Sequence, residues 1–261
     1  MAAKAPTRNR KTGSAGVADV NVIAILDMSG SMQGREVETR GGFNAFLANA
    51  QEDLQKAGGR IRLSLTCFDT AFDQVYPPTA VERVKPIGPN EYTPRGMTAL
   101  HDAIGLTLSP LRFPKDEKVM VIITTDGMEN SSQEWTAETV KGLITEKEKL
   151  GWEFLFLGVG LDAFAASKAF ASDAMRSATV STPATGEAVA LGMEFAGQSM
   201  RRYRRGESLS ASVAAAYADP TSALIDRGVA DQRPEADRGN AATGAGKARE
   251  VRKTGAAGSG R

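Results

Sequence analysis

Short apolar runs alternate along this chain with longer stretches in which apolar residues recur every three or four positions. Val20-Asn-Val-Ile-Ala-Ile-Leu26, Ile61-Arg-Leu-Ser-Leu-Thr-Cys-Phe68, Val119-Met-Val-Ile-Ile-Thr-Thr125 and Trp152-Glu-Phe-Leu-Phe-Leu-Gly158 have the length and the β-branched or aromatic content of strands. The first, third and fourth are apolar on nearly every position, the pattern of parallel strands covered on both faces. Between them, helical periodicity predicts helices over Glu36 to Ala57, with Phe43, Phe46, Leu47, Ala50 and Leu54 on one stripe, and over Thr98 to Leu111, Thr136 to Leu150 and Glu187 to Tyr203. Alternating βαβα predicts an α/β fold: a Rossmann-like, doubly wound, mostly parallel sheet flanked by helices. Two shorter β candidates, Phe72 to Tyr76 and Ser177 to Ser181, belong toward the edges, the first as an antiparallel hairpin partner of Ile61 to Phe68. No internal repeat is visible.

The periodicity stops at both ends. Residues 1–17 read as a flexible basic segment and residues 218–261 as a disordered Gly/Ala/charged tail, because neither can bury enough apolar surface to offset the entropy of ordering. One domain, residues 18–217, is expected between them. The N-terminal stretch has no apolar core of the kind a secretory signal carries, and no run approaches the roughly 20 apolar residues that span a bilayer. With a single cysteine there is no disulfide within the chain, and the expectation is a soluble, cytoplasmic protein of a reducing compartment.

Composition narrows the chemistry further. In 261 residues there are one Cys and one His, so Cys67 and His101 cannot furnish the three or four ligands of a zinc site built from those residue types. The formal charge is +1, with 32 Lys and Arg against 31 Asp and Glu, and aromatics make up 6%; nucleic acid and membrane are not the expected partners. That neutrality is a cancellation. Residues 1–19 hold four basic and one acidic residue, and residues 219–261 hold eight and six, which leaves 20 basic against 24 acidic in between.

Three segments gather oxygen donors. Asp27-Met-Ser-Gly-Ser31 follows the first strand, Thr125-Asp126-Gly127 follows the third long strand, and Arg95-Gly-Met-Thr-Ala-Leu-His-Asp102 opens a helix between them. In a doubly wound sheet, loops beyond the carboxyl ends of strands form the ligand site. Asp27, Ser29, Ser31, Thr98 and Asp126 are therefore expected to converge, and a set of carboxylates and hydroxyls suits a hard divalent cation. If the hydroxyls bind directly while the carboxylates act through water, the ion keeps its electrophilic character and can take a carboxylate from a partner.

These segments resemble the metal-ion-dependent adhesion site of the von Willebrand factor A domain family, which carries D-x-S-x-S, a Thr and an Asp on three loops. The resemblance runs closely from about Val20 to Gly160. Gly41-Gly-Phe-Asn44, Thr124-Thr-Asp-Gly-Met-Glu-Asn-Ser-Ser132 and Gly151-Trp-Glu-Phe-Leu-Phe-Leu-Gly158 look like bacterial intracellular members. It implies a six-stranded sheet, Mg²⁺ or Mn²⁺ held by Asp27, Ser29, Ser31, Thr98 and Asp126, and a protein partner that presents Asp or Glu to the metal. It leaves open the partner, the choice of metal, the oligomeric state and the pathway.

Other residues have plainer readings. Ser29 and Ser31 suit a turn and an N-cap, and Thr98 suits the N-cap of its own helix. His101 lacks the positioned nucleophile and orienting carboxylate of a triad, and Cys67 reads as a small core residue. Asp69 and Asp73 fit a turn or the rim of the metal site, and Glu129 and Asn130 fit supporting hydrogen bonds. Arg201-Arg-Tyr-Arg-Arg205 reads as a solvated helix terminus complementing the helix dipole.

A non-enzymatic, cation-dependent protein-binding module is the leading functional expectation. The alternatives are a structural or assembly protein of a bacterial or phage complex with a purely structural metal, and a metal-dependent phosphatase or hydrolase. The last is disfavoured because Ser29 stands where haloacid-dehalogenase phosphatases place a second carboxylate, and no phosphate-binding loop or nucleophile elbow is present.

Overall fold

A computed structural model of the chain describes residues 17–127, 129–160, 177–182 and 185–218. The segments expected to be flexible, 1–17 and 218–261, lie outside these residues apart from Val17 and Ala218. The elements in chain order are β1 (Val20–Asp27), α1 (Glu36–Ala57), β2 (Ile61–Phe68), β3 (Phe72–Ala80), α2 (Leu100–Leu108), β4 (Lys118–Thr125), α3 (Ala137–Lys149), β5 (Glu153–Val159), β6 (Ser177–Thr182), α4 (Gly186–Arg204) and α5 (Leu209–Ala218).

The six strands form one sheet in the order β3-β2-β1-β4-β5-β6. Only β3 is antiparallel, paired with β2 as the expected hairpin; β1, β2, β4, β5 and β6 run parallel. The chain leaves β1 toward β2 on one side and returns on the other side with β4, so the order reverses between β1 and β4. Their register sets Leu26 beside Thr124, which brings the ends of both strands to one level.

Side-chain alternation in the strands divides the core in two. Val20, Val22, Ala24 and Leu26 of β1, with Met120 and Ile122 of β4 and Leu155 and Leu157 of β5, pack under Phe43, Phe46, Leu47 and Ala50 of α1 and Met193, Ala196 and Met200 of α4. Ile23 and Ile25, with Val121, Ile123, Phe154 and Phe156, face Leu100, Ile104 and Leu108 of α2 and Val140 and Ile144 of α3. Each Val, Leu, Ile, Phe or Met among them contributes about 1.5–3 kcal/mol on leaving water, and the two-sided covering accounts for strands that read as continuously apolar. Asn44 of α1 ties the connection after β3 to this layer, its side chain donating to Ile87 O and accepting from Ile87 N.

The Arg201–Arg205 run ends α4 as expected but departs from expectation at Arg204. Arg204 is 1% exposed, not solvated. Its guanidinium pairs with buried Asp53 of α1 and donates to Gly58 O and Ala18 O, while Ala18 N donates to Arg204 O. Beside it, Lys118 donates to Tyr203 O at 2.6 Å and lies 4.1 Å over the Tyr203 ring. The basic end of α4 thus fastens the N-terminal end of the sheet to α1. The periodicity stripe also gave no sign of α5, whose Ala-rich sequence carries no amphipathic face; its start is set by buried Glu153, which accepts from Leu209 N at 2.6 Å.

Candidate metal centre

β1 ends on Asp27, fully buried between its neighbours. Its Oδ1 accepts from Ser29 N at 2.8 Å and its Oδ2 from the Thr125 hydroxyl at 2.6 Å, so the last residue of β4 grips the last residue of β1. Burial pushes the Asp27 carboxyl up to about 6; hydrogen bonds from Ser29 and Thr125 pull against that rise and the charge of Asp126 adds to it.

From Asp27 the chain turns into a single turn of 3₁₀ helix, Gly30–Met32. Ser29 stands at its N-cap position, yet its hydroxyl makes no capping bond; it lies 3.0 Å from the hydroxyl of Ser31. Ser31 in turn donates to Asp126 Oδ1 at 2.6 Å. A row of oxygens therefore runs from the end of β1 to the end of β4 across the point where the strand order reverses.

Thr98 joins this row from the third segment. A Cβ built on Gly127 would lie 3.2 Å from Thr98 Oγ1 and 3.4 Å from Ser31 Oγ, so both hydroxyls border the space that glycine leaves open. Thr98 does not cap α2, contrary to expectation: the helix begins at Leu100 with Ala99 at the cap position and no side-chain cap. The Thr98 segment is fixed instead by its neighbours. Gly96 O accepts from Gly30 N, Arg95 N donates to Met28 O, and Tyr92 OH donates to Asp27 O at 2.7 Å. Gly96 has φ +64°, a left-handed conformation natural to glycine, and a Cβ there would meet Thr70 Oγ1 at 2.8 Å.

Two residues considered as supports have defined positions. Asn130 Oδ1 accepts from Thr98 N at 2.9 Å, and Asn130 N donates to Thr98 O at 3.0 Å. Glu129 accepts from His101 N, Ser131 N, Ser132 N and the Ser132 hydroxyl, bonds that hold its carboxyl below the usual range despite burial. It supplies the acceptor that α2 lacks at its N-terminus.

His101 points its Nδ1 toward Glu129 Oε2, 3.7 Å away. Asp69 holds the β2–β3 turn through Ala71 N and, with Asp73, pairs with Arg95, so both belong to a turn and ion-pair cluster beside the hydroxyl row. Cys67 is a buried core residue whose thiol burial pushes up to about 12.

Sequence reasoning did not pick out Arg35, the residue before α1. Its Nη1 pairs with Asp126 Oδ2 and donates to Ser31 O at 2.8 Å.

The donor chemistry fits a hard cation. Two carboxylates and three hydroxyls border the site. Among the described residues no group of three or more His, Cys, Asp or Glu side chains could hold a metal; carboxylate and hydroxyl oxygens together are donors of the kind hard divalent cations take.

Sheet order, crossover position and flanking helices define a Rossmann-like fold of the von Willebrand factor A type. Solved structures share it at low identity. The PilB minor pilin from Streptococcus sanguinis superposes with a TM-score of 0.57 at 13% identity over 75% of this chain and 64% of the pilin chain. The vWF domain of the type V pili tip protein Mfa5 from Porphyromonas gingivalis gives 0.55 at 12% identity, over 74% of this chain and 99% of that one. The pilus adhesin SpaC from Lactobacillus rhamnosus GG gives 0.56 at 14%, over 74% of this chain and 32% of the adhesin. The chain therefore spans less than two thirds of the pilin and about a third of the adhesin. No protein-family model matches the sequence, and no curated protein matches it. Among the described residues no helix is long and apolar enough to cross a membrane.

Proposed function

We propose that this domain is a non-enzymatic protein-binding module of the metal-ion-dependent adhesion type. Asp27, Ser29, Ser31, Thr98 and Asp126 hold Mg²⁺ or Mn²⁺, and an Asp or Glu of a partner protein completes the coordination. The observation that carries this reading is the unbroken row from Asp27 through Ser29 and Ser31 to Asp126, with Thr98 Oγ1 across the gap left by Gly127. Neutral hydroxyls at the centre of such a row leave a bound ion short of negative charge, which favours an anionic ligand over activation of water. The pilin and adhesin neighbours support a role in contacts between proteins.

The experiment is thermal unfolding with and without millimolar Mg²⁺ or Mn²⁺, followed by affinity capture in the presence and absence of EDTA. The ion raises the melting temperature of the wild type, because a ligand that binds only the folded state stabilises it. Asp27→Ala abolishes the rise. No metal-dependent shift in the wild type sinks the proposal; capture of the same partner with and without EDTA reduces the metal to a structural role.

A further inference from the structure

Arg35 sits where local rules disfavour it. It occupies the cap position of α1 without making a capping bond; that position prefers Ser, Thr, Asp or Asn, and a cation there opposes the helix dipole. Its backbone is nevertheless tightly held: Arg35 N donates to Met32 O, and Arg35 O accepts from both Thr39 N and the Thr39 hydroxyl at 2.8 Å. That anchoring aims the guanidinium across the Asp27–Ser31 turn at Asp126, whose side chain is 4% exposed. The two oxygens of Asp126 are divided between partners. Oδ1 faces the Ser31 hydroxyl and the oxygen row, while Oδ2 faces Arg35.

We propose that Arg35 is the built-in counter-charge of Asp126, which sets the net charge of the hydroxyl-lined site and so tunes it toward anionic ligands. Asp27, Asp126 and Arg35 together leave the site at −1. A divalent ion brings it to +1, against neutrality for the same site without Arg35. The loaded site then keeps a positive excess for a carboxylate, at the expense of affinity for the metal itself. In the metal-free protein, the guanidinium relieves the repulsion between two carboxylates at the ends of adjacent strands. The metal half of this inference rests on the adhesion-site reading; the counter-charge half does not.

The test is Mn²⁺ binding by calorimetry and metal-free thermal unfolding, for wild type, Arg35→Gln and Arg35→Lys. Arg35→Gln binds Mn²⁺ about five- to tenfold more tightly at low salt, the size expected for removing one charge from a solvated site near the ion, and high salt shrinks the gain. Arg35→Lys returns toward wild type. Without metal, Arg35→Gln melts lower and Arg35→Lys recovers part of the loss. Equal or weaker Mn²⁺ binding in Arg35→Gln, or a gain insensitive to salt, overturns the proposal. If the wild type and every variant bind no Mn²⁺, the adhesion-site reading fails, and the metal-free melting decides the counter-charge: a loss restored by Lys supports it, and an unchanged melting temperature overturns it.

Discussion

Thr98 and Asn130 exchange two hydrogen bonds, backbone to side chain at 2.9 Å and backbone to backbone at 3.0 Å, and so lock the segment before α2 to the loop after β4. Asn130 is not one of the five residues proposed to hold the ion; it fixes Thr98, which is. Asn130→Ala is expected to cost about 1 kcal/mol of stability and to weaken Mn²⁺ binding about tenfold, as loss of a supporting partner typically does. Calorimetry on the folded variant checks both, and unchanged metal affinity would show that Thr98 is held without this clip.

Asp27 links the site to pH. Its folded carboxyl is raised from 3.8 to about 6, so between those values the folded state binds the proton more tightly than the unfolded chain. Its contribution to stability is present below about pH 4 and is lost as pH rises through 6, a swing of about 3 kcal/mol. Metal binding at the proposed site is expected to have the opposite dependence, because the ion requires the carboxylate. Mn²⁺ affinity is therefore expected to fall as pH drops below 6, and calorimetry across that range reads it directly.

Neutralising the same residue separates the two effects. In Asp27→Asn the amide oxygen can still accept from Ser29 N, and the Thr125 hydroxyl has Gly127 O at 3.2 Å as an alternative acceptor. The variant should melt higher than wild type at pH 7.5 without metal and show no shift on adding Mn²⁺. A lower metal-free melting temperature would mean that the buried charge is not a cost.

At the other end of the sheet, Arg204→Met takes from buried Asp53 its buried partner and leaves it the half-exposed Arg205 Nη2 at 3.3 Å. The expected loss is about 3–5 kcal/mol in urea unfolding, with Mn²⁺ affinity of the folded fraction unchanged because the proposed metal site lies beyond the opposite strand ends.

Gly105→Ala would ordinarily favour a helix by about 1 kcal/mol. Here the new Cβ would lie 2.0 Å from Trp135 Cδ2, and a loss of at least about 2 kcal/mol is expected from overpacking. Chemical denaturation of the variant checks the sign, which propensity and packing predict oppositely.

Strand and helix periods in the sequence carried the architecture, because each strand covered on two faces must be apolar throughout and each covering helix must show a stripe. The hairpin of β2 and β3, the parallel centre and the 22-residue α1 were all legible this way. The same logic missed α5, which has no stripe, and misread the end of α4, because a run of arginines looks the same whether it is solvated or bolted to a buried aspartate. Thr98 shows a similar limit: its type suits a cap, and only the start of α2 at Leu100 shows that it makes none.

What the sequence determined by itself is the sheet, its two apolar faces and which oxygen-bearing residues stand just beyond the strand ends, since these follow from periodicity and from residue order. What only the tertiary structure decided is which groups meet. The grip of Thr125 on Asp27, the Thr98–Asn130 clip, and the placing of Arg35 against Asp126 each join residues 32 to 98 positions apart. No local pattern encodes such pairings; they arise when the parallel register of β1 and β4 brings distant loops to one level.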